Sequence, residues 1–282
     1  MSVYVIVPVF NRLAMTQGLV TCLRAQVVDE DLQLIVVDDG STDGTGKWLD
    51  EQKDIDVLRG DGSLFWGGAV DLAFRSLQSR AGKDDWVLLM NNDTAVAPNF
   101  VMALLRAARN NAPAAVGSIV RDEVAPHRLL SLGAKVNAWR FLTSDLQPAA
   151  NALAQDQPLP VDVLSGRGVL FPWAGLVAAG GMRPRRLPHY FADYEVSLRV
   201  RRKGWRLLVA PDAAVLSADE YGSARVFGSL REKLCSIRSP AYLPALATFW
   251  WEASNWPQRL TMPLRICAFT LFPGLRKRTS KK

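Results

Sequence analysis

Three short apolar runs, each stopped by a polar turn, constrain this chain more than anything else in it. Val3-Tyr4-Val5-Ile6-Val7 stops at Pro8, Leu34-Ile35-Val36-Val37 stops in Asp38-Asp39-Gly40-Ser41, and Trp86-Val87-Leu88-Leu89-Met90 stops in Asn91-Asn92-Asp93. Runs of this length, rich in β-branched residues and without polar alternation, read as strands buried on both faces of a parallel sheet. A helical pattern over about residues 13 to 26 separates the first two runs. A second helix-like stretch, with Trp48 and Leu49 on its apolar side, precedes the brief strand Asp56-Val57-Leu58-Arg59. Strand and helix in this alternation predict an α/β fold with a mostly parallel central sheet. Ligands of such sheets sit outside the carboxyl ends of the strands, which is where both acidic turns fall.

Composition narrows the chemistry. The 282 residues suit one large domain or one domain with an appendage. Three cysteines (Cys22, Cys235, Cys267) without paired spacing exclude a disulfide framework and a thiolate zinc site, and two histidines exclude most multi-histidine metal centres. A metal here must take mostly carboxylate oxygen, which points to magnesium or manganese. Net charge is +7, but residues 221–282 hold eleven basic and two acidic side chains, a net of +9, which leaves −2 for the first 220. Basicity therefore belongs to the tail, and no RNA- or DNA-binding motif accompanies it, so nucleic acid is not expected as a partner. The N-terminus lacks a basic n-region and no run approaches the roughly 18 apolar residues of a membrane span, so a cytoplasmic or membrane-surface location is expected.

Farther along, residues 143–161, with four alanines and three prolines, read as a surface loop. An apolar stretch ending at Phe171-Pro172, a Gly180-Gly181 turn, a helix from about Tyr194 to Lys203 closed by Gly204, and a strand over Gly204–Val209 follow. No internal repeat is present.

Four clusters carry chemistry. Asp38 and Asp39 at a strand end suit hydrogen bonds from a base N–H or ribose hydroxyls, while Ser41, Thr42 or Asp43 caps the next helix. Asn91-Asn92-Asp93-Thr94 suits either one divalent cation bridging a diphosphate or a plain strand-to-helix turn. Asp193 and Glu195 open a helix, where the dipole favours acids and where a carboxylate can also serve as a general base. Behind them Arg199, Arg201, Arg202 and Lys203 form a basic flank facing solvent or phosphate.

In order and spacing, the segments PVFNR, VVDDGSTDGT, GDGSLFWGGA, LMNNDT, SGRGVLFP and PHYFADYEVSLRVRRKGW resemble the inverting family 2 glycosyltransferases of GT-A fold, over about residues 1–215. The resemblance implies a GT-A domain over residues 1–220, with a nucleotide-binding half to about 95 and an acceptor half from about 96, and a helical basic extension over 221–282. It implies that Pro8, Val9, Asn11, Asp38 and Asp39 bind base and ribose, and that the Gly60–Ala69 loop closes over the nucleotide, bringing Gly62, Trp66 and Gly68 near sugar or diphosphate. Asn91, Asn92 and Asp93 would form the donor's diphosphate and metal element, with Asp93 as ligand and Asn91 replacing the first aspartate of the family's DxD. Arg167 would lie near the diphosphate or acceptor. Asp193 would be the base, with Glu195 a rival because Ala192 stands where the family has glutamate, and His189 would complete the metal shell.

An inverting transfer is one displacement, requiring one base and help for a departing nucleoside diphosphate. The expected partners are a nucleotide sugar and a glycan or lipid-linked acceptor of bacterial surface-polysaccharide synthesis, with rhamnose from a deoxythymidine diphosphate as favoured donor and Mg2+ or Mn2+ as cofactor. Alternatives are a nucleotide-sugar-binding protein with an inactive site, which Asn91 and Ala192 favour, and a sugar-nucleotide pyrophosphorylase. Aromatic residues near Arg259 and Arg265, and the terminal Arg276-Lys277-Arg278 and Lys281-Lys282, predict peripheral binding to the anionic inner face of the cytoplasmic membrane.

Overall fold

The computed structural model describes residues 1–146, 157–218 and 227–271. The first apolar run becomes β1 (Ser2–Val9), followed by α1 (Leu13–Arg24), β2 (Asp31–Asp38), α2 (Thr45–Asp50), β3 (Ile55–Arg59), α3 (Phe65–Leu77) and β4 (Trp86–Leu89). β1 pairs in parallel with β2 on one side and with β4 on the other, and β2 pairs in parallel with β3. Both faces of β1 are covered. Val3, Val5 and Val7 join Leu19, Val20 and Leu23 of α1, while Tyr4 and Ile6 join Val70, Ala73 and Phe74 of α3. The chain leaves β1 toward β2 in one direction and later returns to β4 on the other side. At such a reversal the strand-end loops part and leave a crevice.

The remaining elements of the body are β5 (Thr94–Val96), α4 (Phe100–Asn110), β6 (Ala114–Asp122), β7 (Leu129–Ser131), β8 (Ala134–Asn137), β9 (Leu142–Asp145), β10 (Leu159–Pro160), β11 (Val169–Pro172), α5 (Trp173–Ala179), α6 (Ala192–Arg202) and β12 (Arg206–Ser217). Among the described residues ten strands join one sheet, in the order β10-β12-β6-β11-β4-β1-β2-β3, with β5 on β12 and β7 on β6. The sheet is mixed. β6 and β12 are parallel to each other, but β11 lies between β4 and β6 antiparallel to both. Val169, the first residue of β11, pairs with Leu89, the last of β4, so the preceding Ser165–Gly168 loop is delivered to the same edge as the acidic turns.

Two expectations from the sequence are corrected here. The segment expected to be a loop through Ala69 turns helical at Phe65, and the segment 143–161 contributes β10 and most of β9, with residues 147–156 outside the described part.

After β12 come α7 (Leu230–Cys235), α8 (Leu243–Ala253), α9 (Trp256–Leu260) and α10 (Met262–Leu271). α8 is docked by its aromatic residues: Phe249 is fully buried and stacks on Phe191 at 4.8 Å, and Trp250 meets Phe141 edge-on at 5.4 Å. Glu252 accepts from Arg183 at 2.8 Å and pairs with Arg202 of α6. Asn255 and Gln258 form a reciprocal capping box that starts α9.

Candidate active site

Because β4, β1, β2 and β3 are parallel neighbours, their carboxyl ends line up the Asn91–Asp93 turn, Asn11-Arg12, Asp38-Asp39 and Arg59. Asn11 and Arg12 both take left-handed backbone, at φ of 59° and 66°. That bend lets the Asn11 amide donate to Ser41 Oγ at 2.7 Å while Asn11 Oδ1 accepts from the Thr42 amide at 2.8 Å. Asp38 is buried, accepts from the Ser41 amide at 3.0 Å and is paired with Arg59. Asp39, also buried, receives three amides: Gly62 at 2.9 Å and Leu64 at 3.2 Å on Oδ1, and Phe65 at 3.0 Å on Oδ2. Its carboxylate thus fixes the Gly60–Leu64 loop and the start of α3. A Cβ on Gly40 would lie 3.1 Å from the Gly62 amide nitrogen, and Gly40 has φ of 76°, so only glycine lets the two turns close on each other. Pro8 and Val9 end β1 beneath this, Val9 accepting the Asp39 amide at 2.8 Å.

Trp66 ties three loops together. Its indole N–H donates to Asn91 Oδ1 at 2.9 Å, and its ring lies where a Cβ on Gly166 would be, 2.4 Å from Cζ2. Asn91 therefore has a definite task that an aspartate is not needed for. Asp93 Oδ2 accepts from Arg12 at 2.8 Å, whereas Asp93 Oδ1 is buried and has no hydrogen-bond partner. An orphaned carboxylate oxygen at this edge fits a divalent cation that would draw its other ligands from Asn91, phosphate and water. Among the described residues no three histidine, cysteine, aspartate or glutamate side chains converge, so protein carboxylates alone do not make a metal cage.

Asp193 joins this group from α6. Its Oδ2 accepts from the Gly166 amide at 2.8 Å and its Oδ1 from the Tyr194 amide at 2.8 Å. Burial pushes its carboxyl above the usual carboxylate range, and the Gly166 and Tyr194 amides and the nearby Arg167 charge only partly oppose that. A half-buried carboxylate oriented by two amides, with lone pairs left over and a raised affinity for protons, is suited to take a proton from a hydroxyl. Arg167 itself is anchored through its carbonyl, which accepts from Ser118 Oγ at 2.7 Å.

Four expected site residues are placed elsewhere. Glu195 is 1% exposed, and its two oxygens are bound by Arg199, Nε to Oε1 at 2.7 Å and Nη2 to Oε2 at 2.7 Å, with Arg183 adding a third contact at 2.9 Å. It is a structural ion pair with no approach for a substrate. Asn92 points back under α1, donating to the buried Thr16 hydroxyl at 3.1 Å. Gly68 lies inside α3 beside Leu64 and Pro184 rather than at the diphosphate edge. His189 is exposed and sits against Tyr190 and Phe65, at 4.7 and 6.3 Å between ring centroids, away from any cluster of metal-ligating side chains among the described residues. Arg12 and Arg59 also stand at this edge, paired with Asp93 and Asp38, and the sequence motifs do not single them out. The signal for Arg12 was its place directly after Asn11 in the first strand-end turn.

A crevice at the reversal of a mixed α/β sheet, floored by acidic strand-end turns, is the build of a nucleotide-binding α/β enzyme. The family model described as glycosyl transferase family 2 matches residues 4–151, and the chain belongs to that family. It is a glycosyltransferase. The chain is 26% identical over 266 residues to N-acetylglucosaminyl-diphospho-decaprenol L-rhamnosyltransferase of Mycobacterium tuberculosis (strain CDC 1551 / Oshkosh), covering 84% of this chain and 83% of that one. Among solved structures it resembles GalNAc-T7 with UDP, GalNAc and Mn2+, at TM-score 0.68 and 14% identity, over 88% of this chain and 47% of that chain, or about half its length. It also resembles the mannosyltransferase PcManGT from Pyrobaculum calidifontis in complex with GDP-Man and Mn2+, at TM-score 0.56 and 17% identity, over 96% and 81%. These neighbours establish the GT-A fold.

Proposed function

We propose that the protein is an inverting transferase that moves a sugar from a nucleoside diphosphate to a lipid-linked acceptor of bacterial surface-polysaccharide synthesis. Asp193 carries this reading, as the one carboxylate whose position and raised pKa suit a base. The acceptor oxygen attacks the anomeric carbon as the bond to diphosphate breaks, and the hydroxyl proton passes to Asp193. Arg167, electrostatically coupled to Asp193 at the same edge, offsets charge gathering on the departing diphosphate. Asp39 and Asn11 hold the turns that cradle base and ribose. Asp93 and Asn91 would hold a divalent cation, which supplies Lewis-acid stabilisation of the leaving group when bound.

The mycobacterial relative's name supports an N-acetylglucosaminyl-diphospho-lipid as acceptor class and rhamnose as the sugar, with deoxythymidine diphosphate, the donor nucleotide expected from the family resemblance, as its carrier. The test is direct: incubation with that donor and a short-chain acceptor, read by mass spectrometry for the product and by NMR for its anomeric configuration. Retention of configuration, or absence of product with every lipid-linked acceptor, overturns the reading. Donor hydrolysis alone separates an active site from the inactive binding protein, and family membership sets aside the pyrophosphorylase.

Asp93→Ala should abolish the manganese dependence of nucleoside diphosphate binding, measured by calorimetry with and without chelator. Unchanged metal-dependent binding would place the cation elsewhere.

The extension supports a peripheral place at the inner face of the membrane. Among the described residues no helix is long and apolar enough to cross a bilayer. Trp251, Trp256, Leu260, Leu264 and Ile266 are nonetheless exposed, and the Arg259 guanidinium lies 4.9 Å from the Trp251 ring centre. Aromatic and cationic groups together suit an anionic interface. The Arg276–Lys282 cluster lies outside the described residues. At about 1 kcal/mol per basic residue near such a surface, its deletion should weaken co-sedimentation with anionic vesicles and leave neutral vesicles unaffected. Equal binding of full-length and shortened protein to anionic vesicles overturns the role of the terminus.

A further inference from the structure

Apart from the strand-end crevice, a cleft of about 730 Å3 lies between α3, the Arg183–Pro188 turn and the segment leading into α8. Asp38, Asp39, Asp93, Arg167 and Asp193 do not line it. Four arginines do: Arg75, Arg183, Arg185 and Arg186. Two of them are already spoken for, Arg75 by Asp71 at 2.7 Å and Arg183 by Glu195 and Glu252 at 2.9 and 2.8 Å. Arg185 and Arg186 are exposed and make no ion pair or side-chain hydrogen bond among the described residues.

Their backbone, by contrast, is pinned. The Arg186 and Leu187 amides both donate to the Arg183 carbonyl, at 3.0 and 2.9 Å, Leu187 is buried, and the Gly67 amide of α3 donates to the Pro188 carbonyl at 2.7 Å. The turn fixes where two unpaired guanidinium groups start from, and the planar fork of arginine matches phosphate oxygens in pairs. The rest of the lining is mostly apolar, with Leu64, Pro184, Ile237 and Tyr242, beside Ser63 and the Asp71 carboxylate that Arg75 neutralises. The matching ligand has a dense anionic group joined to an apolar chain. The cleft also abuts the reaction centre. The Leu64 amide is held by Asp39, and Pro188 precedes His189, whose ring packs on Phe65 next to Trp66.

We propose that this cleft binds the diphosphate of the lipid-linked acceptor through Arg185 and Arg186, an inference that rests on the acceptor reading above. Acceptor and donor both carry a diphosphate, so the experiment separates them by filling the donor site first. Full-length protein saturated with deoxythymidine diphosphate and Mn2+ is titrated calorimetrically with farnesyl diphosphate, with farnesol as control. The Arg185→Ala/Arg186→Ala variant should bind farnesyl diphosphate at least tenfold more weakly, while its nucleotide affinity, donor hydrolysis and melting temperature match the wild type. Equal farnesyl diphosphate affinity in the two proteins overturns the assignment, as does competition between farnesyl diphosphate and the nucleotide. The acceptor reading fails separately: arginine-dependent farnesyl diphosphate binding without sugar transfer to any diphospholipid supports the anion site and overturns that reading. Transfer to a diphospholipid with the same KM in both proteins keeps the reading and overturns the cleft.

Discussion

Asp193→Asn should lower transfer turnover by about 100-fold or more, the scale of a lost general base, while nucleotide-sugar binding stays near wild type. Asparagine keeps an oxygen to accept the Gly166 amide, so the loop stays in place and only the proton acceptor is lost. The pH profile gives a second readout. Burial raises the Asp193 pKa, so in the wild type kcat/KM should fall on acidification at a higher pH than an ordinary carboxylate would produce. The residual activity of the variant should lack that limb. Stability should move the opposite way. A carboxyl whose folded-state pKa is raised favours the fold when protonated; that contribution is complete below its unfolded-state pKa and is lost as pH rises through the folded-state value. Asp193→Asn should therefore melt no lower than wild type at neutral pH, with any gap in its favour opening as pH rises through that window. Full turnover in the variant would remove Asp193 from the base role.

Glu195→Ala should act on the fold instead. The change leaves Arg199, which is 6% exposed, with its guanidinium buried and without its carboxylate, although its bonds to the Ala179 and Gly181 carbonyls remain. Removing one member of a buried pair costs about 3–5 kcal/mol, which a urea midpoint resolves easily. The same pair fastens α6 to the turn after α5, so the loss should appear as lowered stability before it appears as lowered turnover in the protein still folded. A Glu195→Ala variant with a wild-type midpoint and no turnover would exchange the two roles.

Why the sequence offers both acids and the structure only one follows from helix geometry. Two residues along a helix turn the side chain by about 200°, so Asp193 and Glu195 face nearly opposite ways. Which of them meets the Gly166 loop depends on where β11 delivers that loop, and a four-residue apolar strand says nothing of its own direction. A readable clue existed in Arg199, four residues after Glu195 and placed to pair with it. β1, β2 and β4 were legible because burial on both faces leaves an unbroken apolar run. α3 was not, because Gly60, Gly62, Gly67 and Gly68 within nine residues read as a loop. At Gly67 the glycine is a matter of packing: a Cβ there would lie 2.3 Å from the Leu187 carbonyl oxygen.

The Trp66 indole, resting against Gly166 and bonded to Asn91, has a consequence for how this chain can vary. Groups that share one partner do not contribute independently, so exchanges at 66, 91 and 166 should show coupling energies of about 0.5–3 kcal/mol rather than simple sums. A larger residue at 166 is tolerable only beside a smaller ring at 66, and a smaller ring leaves the amide at 91 without its donor. The three positions are thus one inherited unit: a drift at any of them exposes the other two to selection, and a homologue that carries a larger residue at 166 is expected to carry a smaller side chain at 66.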